Sequence, residues 1–235
     1  MSQPETSTPL VGADARFATG LLALALSACP AVAQDASQDR ETGWFARAWG
    51  GYSSLSDTGG AFDNTTAGPL VDSVDVSADG GLAAGAGFGY RYGPRLAVEL
   101  AWEYRSNGSE TTFAAGPGFD DGNYASNTFF LNGYYYLNKR GPWEPYLGAG
   151  LSWIQEIDID LEGNGPEQSY AGDGDVGFQV FVGSNYRLNE RWSAHGELRY
   201  GSVTGIDLEG EGISGRFSDF DYEPLTFQLG LSYSF

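Results

Sequence analysis

Residues 225–235 read Leu-Thr-Phe-Gln-Leu-Gly-Leu-Ser-Tyr-Ser-Phe. Large apolar side chains alternate with small or polar ones from Leu225 to Phe235, which is the period of a β-strand with one apolar face. A strand on a soluble protein core and a strand that faces lipid would both show this alternation. The pattern of the other strands and their connections is needed to distinguish a soluble core from a lipid-facing wall.

Composition favours an all-β protein. The chain contains 35 glycines, 14 tyrosines and 14 phenylalanines but one methionine, and glycine weakens helices while aromatic residues suit pleated sheets. The formal net charge is −19. Such a chain repels phosphate backbones, so nucleic acid is excluded as a partner.

Seven earlier stretches repeat the one-sided alternation, so the sequence predicts eight antiparallel strands. They cover residues 44–52, 81–92, 96–105, 124–137, 143–155, 176–188, 192–201 and 225–235. Tight turns follow the second, fourth and sixth strands. The other connections run to roughly 15–25 residues, beyond the usual length of hairpin loops.

This alternation of short and long connections is typical of transmembrane β-barrels. The charges follow it, because basic residues lie near the short turns and acidic residues fill the long connections. The basic residues are Arg91, Arg95, Lys139, Arg140, Arg187 and Arg191. The prediction is an all-β, eight-stranded antiparallel up-and-down transmembrane barrel over residues 44–235, with its acidic loops outside the cell.

The N-terminal region has the pattern of an export signal. An apolar run follows Arg16 and closes on Ala31-Val32-Ala33, a small-x-small exit. Residues 1–33 are therefore predicted to be a cleavable signal peptide, and residues 34–43 a periplasmic tether. Two alternatives stay open: a membrane-spanning segment, and a lipoprotein signal in which Cys29 is lipidated.

Four motifs resemble the small eight-stranded outer-membrane β-barrel family of Gram-negative bacteria, which includes OmpA-like, OmpX-like and OmpW-like proteins. They lie at residues 85–90, 145–151, 197–200 and 233–235. The resemblance covers essentially the whole chain after the signal. It implies a bacterial outer-membrane location, and it implies that Tyr233 and Phe235 form the signal read by the barrel assembly machinery.

Charged residues on the inward strand faces form the main candidate site. Arg47, Glu99, Glu103, His195, Glu197 and Arg199 are predicted to point into the lumen, with Arg91 and Arg187 nearer the short turns. An unpaired buried charge costs several kcal/mol, so we expect an Arg/Glu network across the lumen. Glu103 and Arg199 are predicted to lie at similar heights.

The sequence predicts no catalytic centre and no cofactor. His195 is the only histidine, and a lipid-cleaving barrel enzyme would carry serine, not Glu197, two residues after it. Residues 159–165 and 206–212 share the motif Ile-Asp-Leu-Glu-Gly. The alternation in this motif predicts that strands continue above the membrane as hairpins with glycine tips. Their carboxylates, Asp160, Glu162, Asp207 and Glu209, are weak candidates for Ca²⁺ or Mg²⁺ ligands, and a solvated acidic surface is favoured instead.

The sequence thus favours a non-catalytic, monomeric outer-membrane barrel with a structural or surface-interaction role. Its expected partners are outer-membrane lipid, lipopolysaccharide and the barrel assembly machinery, together with an unidentified partner of the loops. The alternative function is a narrow porin-like passage for small or apolar solutes. A soluble ligand-binding barrel of the lipocalin type is a third class, and it would put the apolar face inward.

Overall fold

The computed structural model describes residues 42–64, 71–163 and 165–235. Its strands are β1 Gly43–Leu55, β2 Thr58–Asp63, β3 Val71–Tyr92, β4 Leu96–Phe113, β5 Gly118–Phe119, β6 Asp121–Tyr136, β7 Trp143–Glu162, β8 Gln168–Gly172, β9 Val176–Arg187, β10 Trp192–Gly210, β11 Arg216–Tyr222 and β12 Pro224–Ser234. Within these ranges no helix is long and apolar enough to cross a membrane. The predicted signal peptide, Cys29 and the tether up to residue 41 lie outside the described residues.

Eight strands form a ring of antiparallel pairings in the order β1, β3, β4, β6, β7, β9, β10 and β12. The last of them, β12, pairs with β1, and Ala48 lies opposite Leu231 at this seam. The predicted eight-stranded antiparallel barrel is therefore confirmed. A ring of this kind pairs the backbone groups of every member on both sides and leaves no open sheet edge.

We call the end with the turns at residues 93–95, 137–142 and 188–191 the short-turn end, and the opposite end the long-loop end. Near the short-turn end the outward face is apolar, as Leu100 and Leu229 show with 67% and 59% exposure. Seven outward rings form an unbroken chain with neighbouring centroids 4.7–6.1 Å apart. This aromatic belt consists of Trp44, Phe88, Tyr90, Tyr92, Trp192, Tyr233 and Phe235.

Most of the described part of the long connections is β-strand, so the predicted strand ends on this side are wrong. Four of the ring strands continue well past those ends: β3 begins at Val71, and β4, β7 and β10 reach Phe113, Glu162 and Gly210. The short strands β2, β5, β8 and β11 pair with these extensions. The predicted extensions at residues 159–162 and 206–209 are confirmed by β7 and β10.

Bulges in three ring strands exchange the inward and outward faces of the strand, so that apolar side chains point outward on one side of the bulge and inward on the other. They lie between Ala78 and Gly81 in β3, at Gln155 in β7, and between Val203 and Ile206 in β10. An extra residue at a bulge shifts the alternation, so the side chains that follow change faces. In β7, for example, Ile154 and Ile157 both point inward although an odd spacing separates them.

Beyond the bulges the inside of the barrel is apolar and much of the outside is acidic. In β7, Ile157 and Ile159 have no exposed surface, whereas Asp158 and Asp160, which alternate with them, are partly exposed. We call the buried cluster the upper core. It consists of Leu55, Val74, Val76, Phe119, Tyr124, Ile154, Ile157, Ile159, Leu161, Tyr170, Val203, Ile206, Leu208, Phe217, Phe220 and Tyr222. The protein therefore has an apolar outside at the short-turn end and an apolar inside at the long-loop end.

Candidate functional site: the charged lumen

Glycines of β3 make room in the lumen for large side chains of the two strands paired with it, β1 and β4. A Cβ atom on Gly85 of β3 would lie 2.6 Å from Trp49 Cζ2 and 2.6 Å from the Trp102 carbonyl oxygen. On Gly87 it would lie 2.7 Å from the carboxyl carbon of Glu99. The glycine-rich face of β3 thus sets where the polar side chains of β1 and β4 can lie.

Replacing Gly85 with alanine should lower the free energy of unfolding by about 1–3 kcal/mol, because the added methyl group overpacks the lumen. The backbone carbonyl of Trp102 cannot move aside without shifting the strand pairing. Gly50 is the matched control, since a Cβ atom there meets only one carbonyl oxygen at 3.9 Å. Urea unfolding in phospholipid vesicles measures both variants, and equal effects would contradict this account of the glycine face.

Glu197 on β10 is the most heavily hydrogen-bonded carboxylate of the lumen. It accepts from Arg199 Nη2 at 2.7 Å, from Gln228 Nε2 at 2.9 Å and from Tyr146 Oη at 2.9 Å. Arg47 Nη2 lies 3.6 Å from Oε2 of Glu197. Since Glu197 is only 1% exposed, these groups replace the water that a carboxylate would otherwise bind.

Glu103 links strands that face one another across the barrel. Its Oε2 accepts a hydrogen bond from Trp49 Nε1 at 2.8 Å and lies 3.5 Å from Arg199 Nη1. Its Oε1 accepts from Arg105, a residue of the same strand. The structure thus brings Glu103 and Arg199 together at one height.

Glu99 is the third buried carboxylate of the lumen and lies nearer the short-turn end than Glu103. It accepts hydrogen bonds from the Tyr134 hydroxyl and from Asn132 Nδ2, and Arg47 Nη1 donates to the same tyrosine oxygen at 2.6 Å. Gln179 donates to Asn132 at 2.6 Å and adds β9 to the chain of bonds. Side chains from most of the ring therefore meet in the lumen.

We call Arg47, Arg105, Arg199, Glu99, Glu103 and Glu197 the lumen network. Its three guanidinium groups balance its three carboxylates, and every member is at most 5% exposed. A buried network of balanced charge is stable as a unit but sensitive to the loss of any member. The side chains of the network cross the lumen and occupy the barrel interior at this level.

Nearer the short-turn end, Arg91 forms an ion pair with Glu144. Its Nη1 and Nη2 each donate to one carboxylate oxygen at 2.9 Å. Arg91 also stacks on the Tyr136 ring at 3.9 Å. Arg187, predicted beside it, is exposed at the end of β9. The lower lumen is thus closed by a second ion pair that contains only one of the two arginines expected there.

His195 faces the lumen and is 3% exposed, but neither ring nitrogen has a hydrogen-bond partner among the residues that the structure describes. Its ring lies against Gly230, where a Cβ atom would come 2.5 Å from Cε1. Arg199 donates to Glu197, and Arg47 donates to Tyr134 and Tyr146. The structure therefore places His195 beside the lumen network without joining it.

The four weak metal candidates do not converge on one point. Asp207 is paired with Arg216 at 2.5 Å, and no group of three potential metal-ligating side chains occurs in the described ranges. Asp207 and Glu209 line an open cleft of about 490 Å³ with Glu156, Asp173 and Glu211, whereas Asp160 and Glu162 do not. Burial and the nearby carboxylates of Asp207 and Asp173 raise the pKa of Asp175 beside this cleft.

The lumen network meets the upper core at Arg105, which was not among the predicted site residues. Arg105 donates to the Tyr222 hydroxyl at 3.0 Å and to Thr226 Oγ1 at 2.9 Å. Its place on the same face of its strand as Glu99 and Glu103 was the signal that could have identified it. Tyr134 and Tyr146 are also absent from the predicted site, because the strand pattern identifies an aromatic residue by its bulk and does not show what its hydroxyl group contacts.

Comparisons with known proteins agree with this architecture. Residues 21–235 match the family model described as the outer membrane protein beta-barrel domain. The chain is 25% identical over 109 residues to outer membrane protein W of Vibrio cholerae, covering 45% of this chain and 50% of that protein. It is 33% identical over 133 residues to an uncharacterized protein of Brucella abortus, covering 46% and 47% of the two chains. The chain thus spans about half the length of these relatives.

Among solved structures, the outer membrane protein OprG of Pseudomonas aeruginosa superimposes with a TM-score of 0.58 at 18% identity. The match covers 84% of this chain and 98% of that one. A likeness at this identity supports the fold alone. With a family match over most of the chain and a ring of eight antiparallel strands, the protein belongs to the outer membrane protein β-barrel family and lies in the bacterial outer membrane.

Proposed function

We propose that the protein is a non-catalytic, non-conducting barrel that holds an acidic β-structured surface outside the outer membrane. The observation that carries this proposal is the filled interior. Side chains of the lumen network cross the barrel, and the upper core closes the space beyond them. Such an interior supports a structural or surface-interaction role better than transport.

In the proposed orientation the short-turn end faces the periplasm and the long-loop end faces outward. Short periplasmic turns and longer external connections are the rule for these barrels. The acidic cleft with Glu156, Asp173, Asp207, Glu209 and Glu211 would then lie at the outer surface, near lipopolysaccharide. Tyr233 and Phe235 would carry the signal for the barrel assembly machinery, and the barrel would act as a monomer.

A second candidate function is a narrow passage for small or apolar solutes. One feature favours it: a cavity of about 20 Å³ lies between the lumen network and the upper core, and Phe178, Gly201 and Pro224 of the wall help to line it. This volume holds about one water molecule. A passage would require the surrounding side chains to move apart.

Planar-bilayer conductance separates the two functions. Purified, folded protein should give a silent bilayer, because the side chains of the lumen network and the upper core fill the barrel interior. Discrete and reproducible openings would overturn the proposal and favour the passage. In that case Glu103→Ala or Arg199→Ala should change the size of the openings, and the outward-facing Glu110→Ala should not.

A further inference from the structure

We propose that two arginine–tyrosine pairs at the short-turn end bind the phosphate groups of anionic phospholipids. Arg95 Nη1 donates to the Tyr135 hydroxyl at 3.0 Å, and Arg191 Nη1 donates to the Tyr233 hydroxyl at 3.0 Å. Both arginines are exposed and belong to short turns. The two sites lie on different parts of the ring, one beside β4 and β6 and one beside β10 and β12.

The tyrosines fix these guanidinium groups on the lipid-facing side of the barrel. Tyr135 alternates with the inward Tyr134 and Tyr136 and is 37% exposed. Tyr233 belongs to the aromatic belt, with its ring 5.0 Å from Trp192 and 5.1 Å from Phe235. Tyrosine and tryptophan belts mark the level of lipid headgroups in membrane barrels. Each guanidinium group therefore lies where headgroup phosphates lie.

The chemistry of each pair suits a phosphate. After one guanidinium nitrogen has donated to the phenol oxygen, the phenol proton and the remaining guanidinium N–H groups can all donate to one acceptor. Neither Arg95 nor Arg191 forms an ion pair with a carboxylate in the described part of the chain. Arginine with several free donors is the usual partner of phosphate oxygens.

Charge distribution selects an anionic lipid over a zwitterionic one. The chain as a whole carries a formal net charge of −19, which repels anionic lipid, but the rim around the two pairs is basic. The short turns carry Lys139 and Arg140 besides Arg95 and Arg191, and Arg187 is exposed at the same end. Against these charges stand the exposed Glu190 and the carboxylate of Glu144, which is held by Arg91. The leaflet assignment rests on the proposed orientation, in which this rim meets the periplasmic leaflet; binding itself does not depend on it.

Native mass spectrometry of the folded protein with added phosphatidylglycerol or phosphatidylcholine tests the proposal. The unaltered protein should retain phosphatidylglycerol preferentially. The double variant Arg95→Gln/Arg191→Gln should bind it more weakly by about fivefold for each arginine. The matched control is Arg216→Gln, which removes one charge from the long-loop end and should retain lipid like the unaltered protein, whereas Arg95→Gln and Arg191→Gln alone should each bind about fivefold more weakly.

Equal retention of the two lipids, or a loss in Arg216→Gln as large as that in Arg95→Gln or Arg191→Gln, would overturn the proposal. Displacement of bound phosphatidylglycerol by excess inorganic phosphate would overturn the lipid assignment. Gel mobility of unheated samples reports whether each variant is folded. Should the arginine variant fail to fold, Tyr135→Phe/Tyr233→Phe keeps both rings, removes both hydroxyls and must weaken retention. Bilayer conductance does not enter this test, so its outcome is separate from that of the proposed function.

Discussion

Replacing Glu197 with alanine should lower the free energy of unfolding by about 3–5 kcal/mol, the usual cost of removing one partner from a buried ion pair. Glu197 accepts hydrogen bonds from Arg199, Gln228 and Tyr146 and lies 3.6 Å from Arg47. Its loss would leave two guanidinium groups in the closed lumen with one fewer counter-charge. Urea unfolding in phospholipid vesicles, followed by tryptophan fluorescence, measures the effect.

Glu110 provides the matched control, because it lies exposed on the outward face of β4. Glu110→Ala should change the free energy of unfolding by no more than about 0.5 kcal/mol, as surface substitutions usually do. Glu197→Gln should fall between the two alanine variants, since it keeps the shape and part of the hydrogen bonding. If Glu197→Ala unfolds like Glu110→Ala, water reaches the lumen and the account of a closed network is wrong.

Replacing Phe217 with alanine should open the long-loop end while the rest of the barrel stays folded. Phe217 has no exposed surface, and its ring lies 4.6 Å from Tyr170 and 4.8 Å from Phe62. Truncating such a ring costs about 3–5 kcal/mol. Because the upper core is an apolar cluster of its own that the lumen network contacts at Arg105 and Tyr222, local opening is the expected result.

Limited proteolysis measures this opening. A loss of about 3–5 kcal/mol corresponds to at least a hundredfold faster cleavage when cleavage follows the open population. The expected cuts lie in β2, β8 and β11, and the heat-dependent gel shift of the remaining barrel should persist. Ile213→Ala is the control, since Ile213 is 39% exposed at a turn. Cleavage unchanged in Phe217→Ala would show that the long connections do not share a packed core.

The eight ring strands could be predicted because alternation alone reports which face of a strand is apolar. Leu229 and Leu231, for example, repeat at period two against Gly230 and face outward as predicted. The extensions were largely missed because the alternation changes parity at the bulges. Ile154 and Ile157 belong to one face only if the extra residue Gln155 is known. The sequence does carry one indication of the bulges: near each Ile-Asp-Leu-Glu segment the apolar residues shift from odd to even positions, or the reverse.

A lumen residue can be predicted from sequence when it is charged and its position in the strand alternation points inward. It is harder to identify when its role depends on which side chains its hydroxyl group contacts. Glu103 and Arg199 were placed at one height by counting from the turns, and their side chains lie 3.5 Å apart. Tyr134 was ambiguous because its ring made both faces of its strand bulky. Only the contacts show that its hydroxyl group bridges Arg47 and Glu99. Cross-lumen contacts depend on the ring closure and cannot be derived from one strand.

The most direct test of the closed lumen is the reactivity of a cysteine placed inside it. Ala101 points into the lumen beside Trp49 and Phe130 and is 4% exposed. In a Cys29→Ser background, Ala101→Cys should resist a membrane-impermeant thiol reagent added from both sides of a vesicle membrane, while the exposed Ser56→Cys and Asn138→Cys react. Labelling of Ala101→Cys as fast as these two controls would contradict the account.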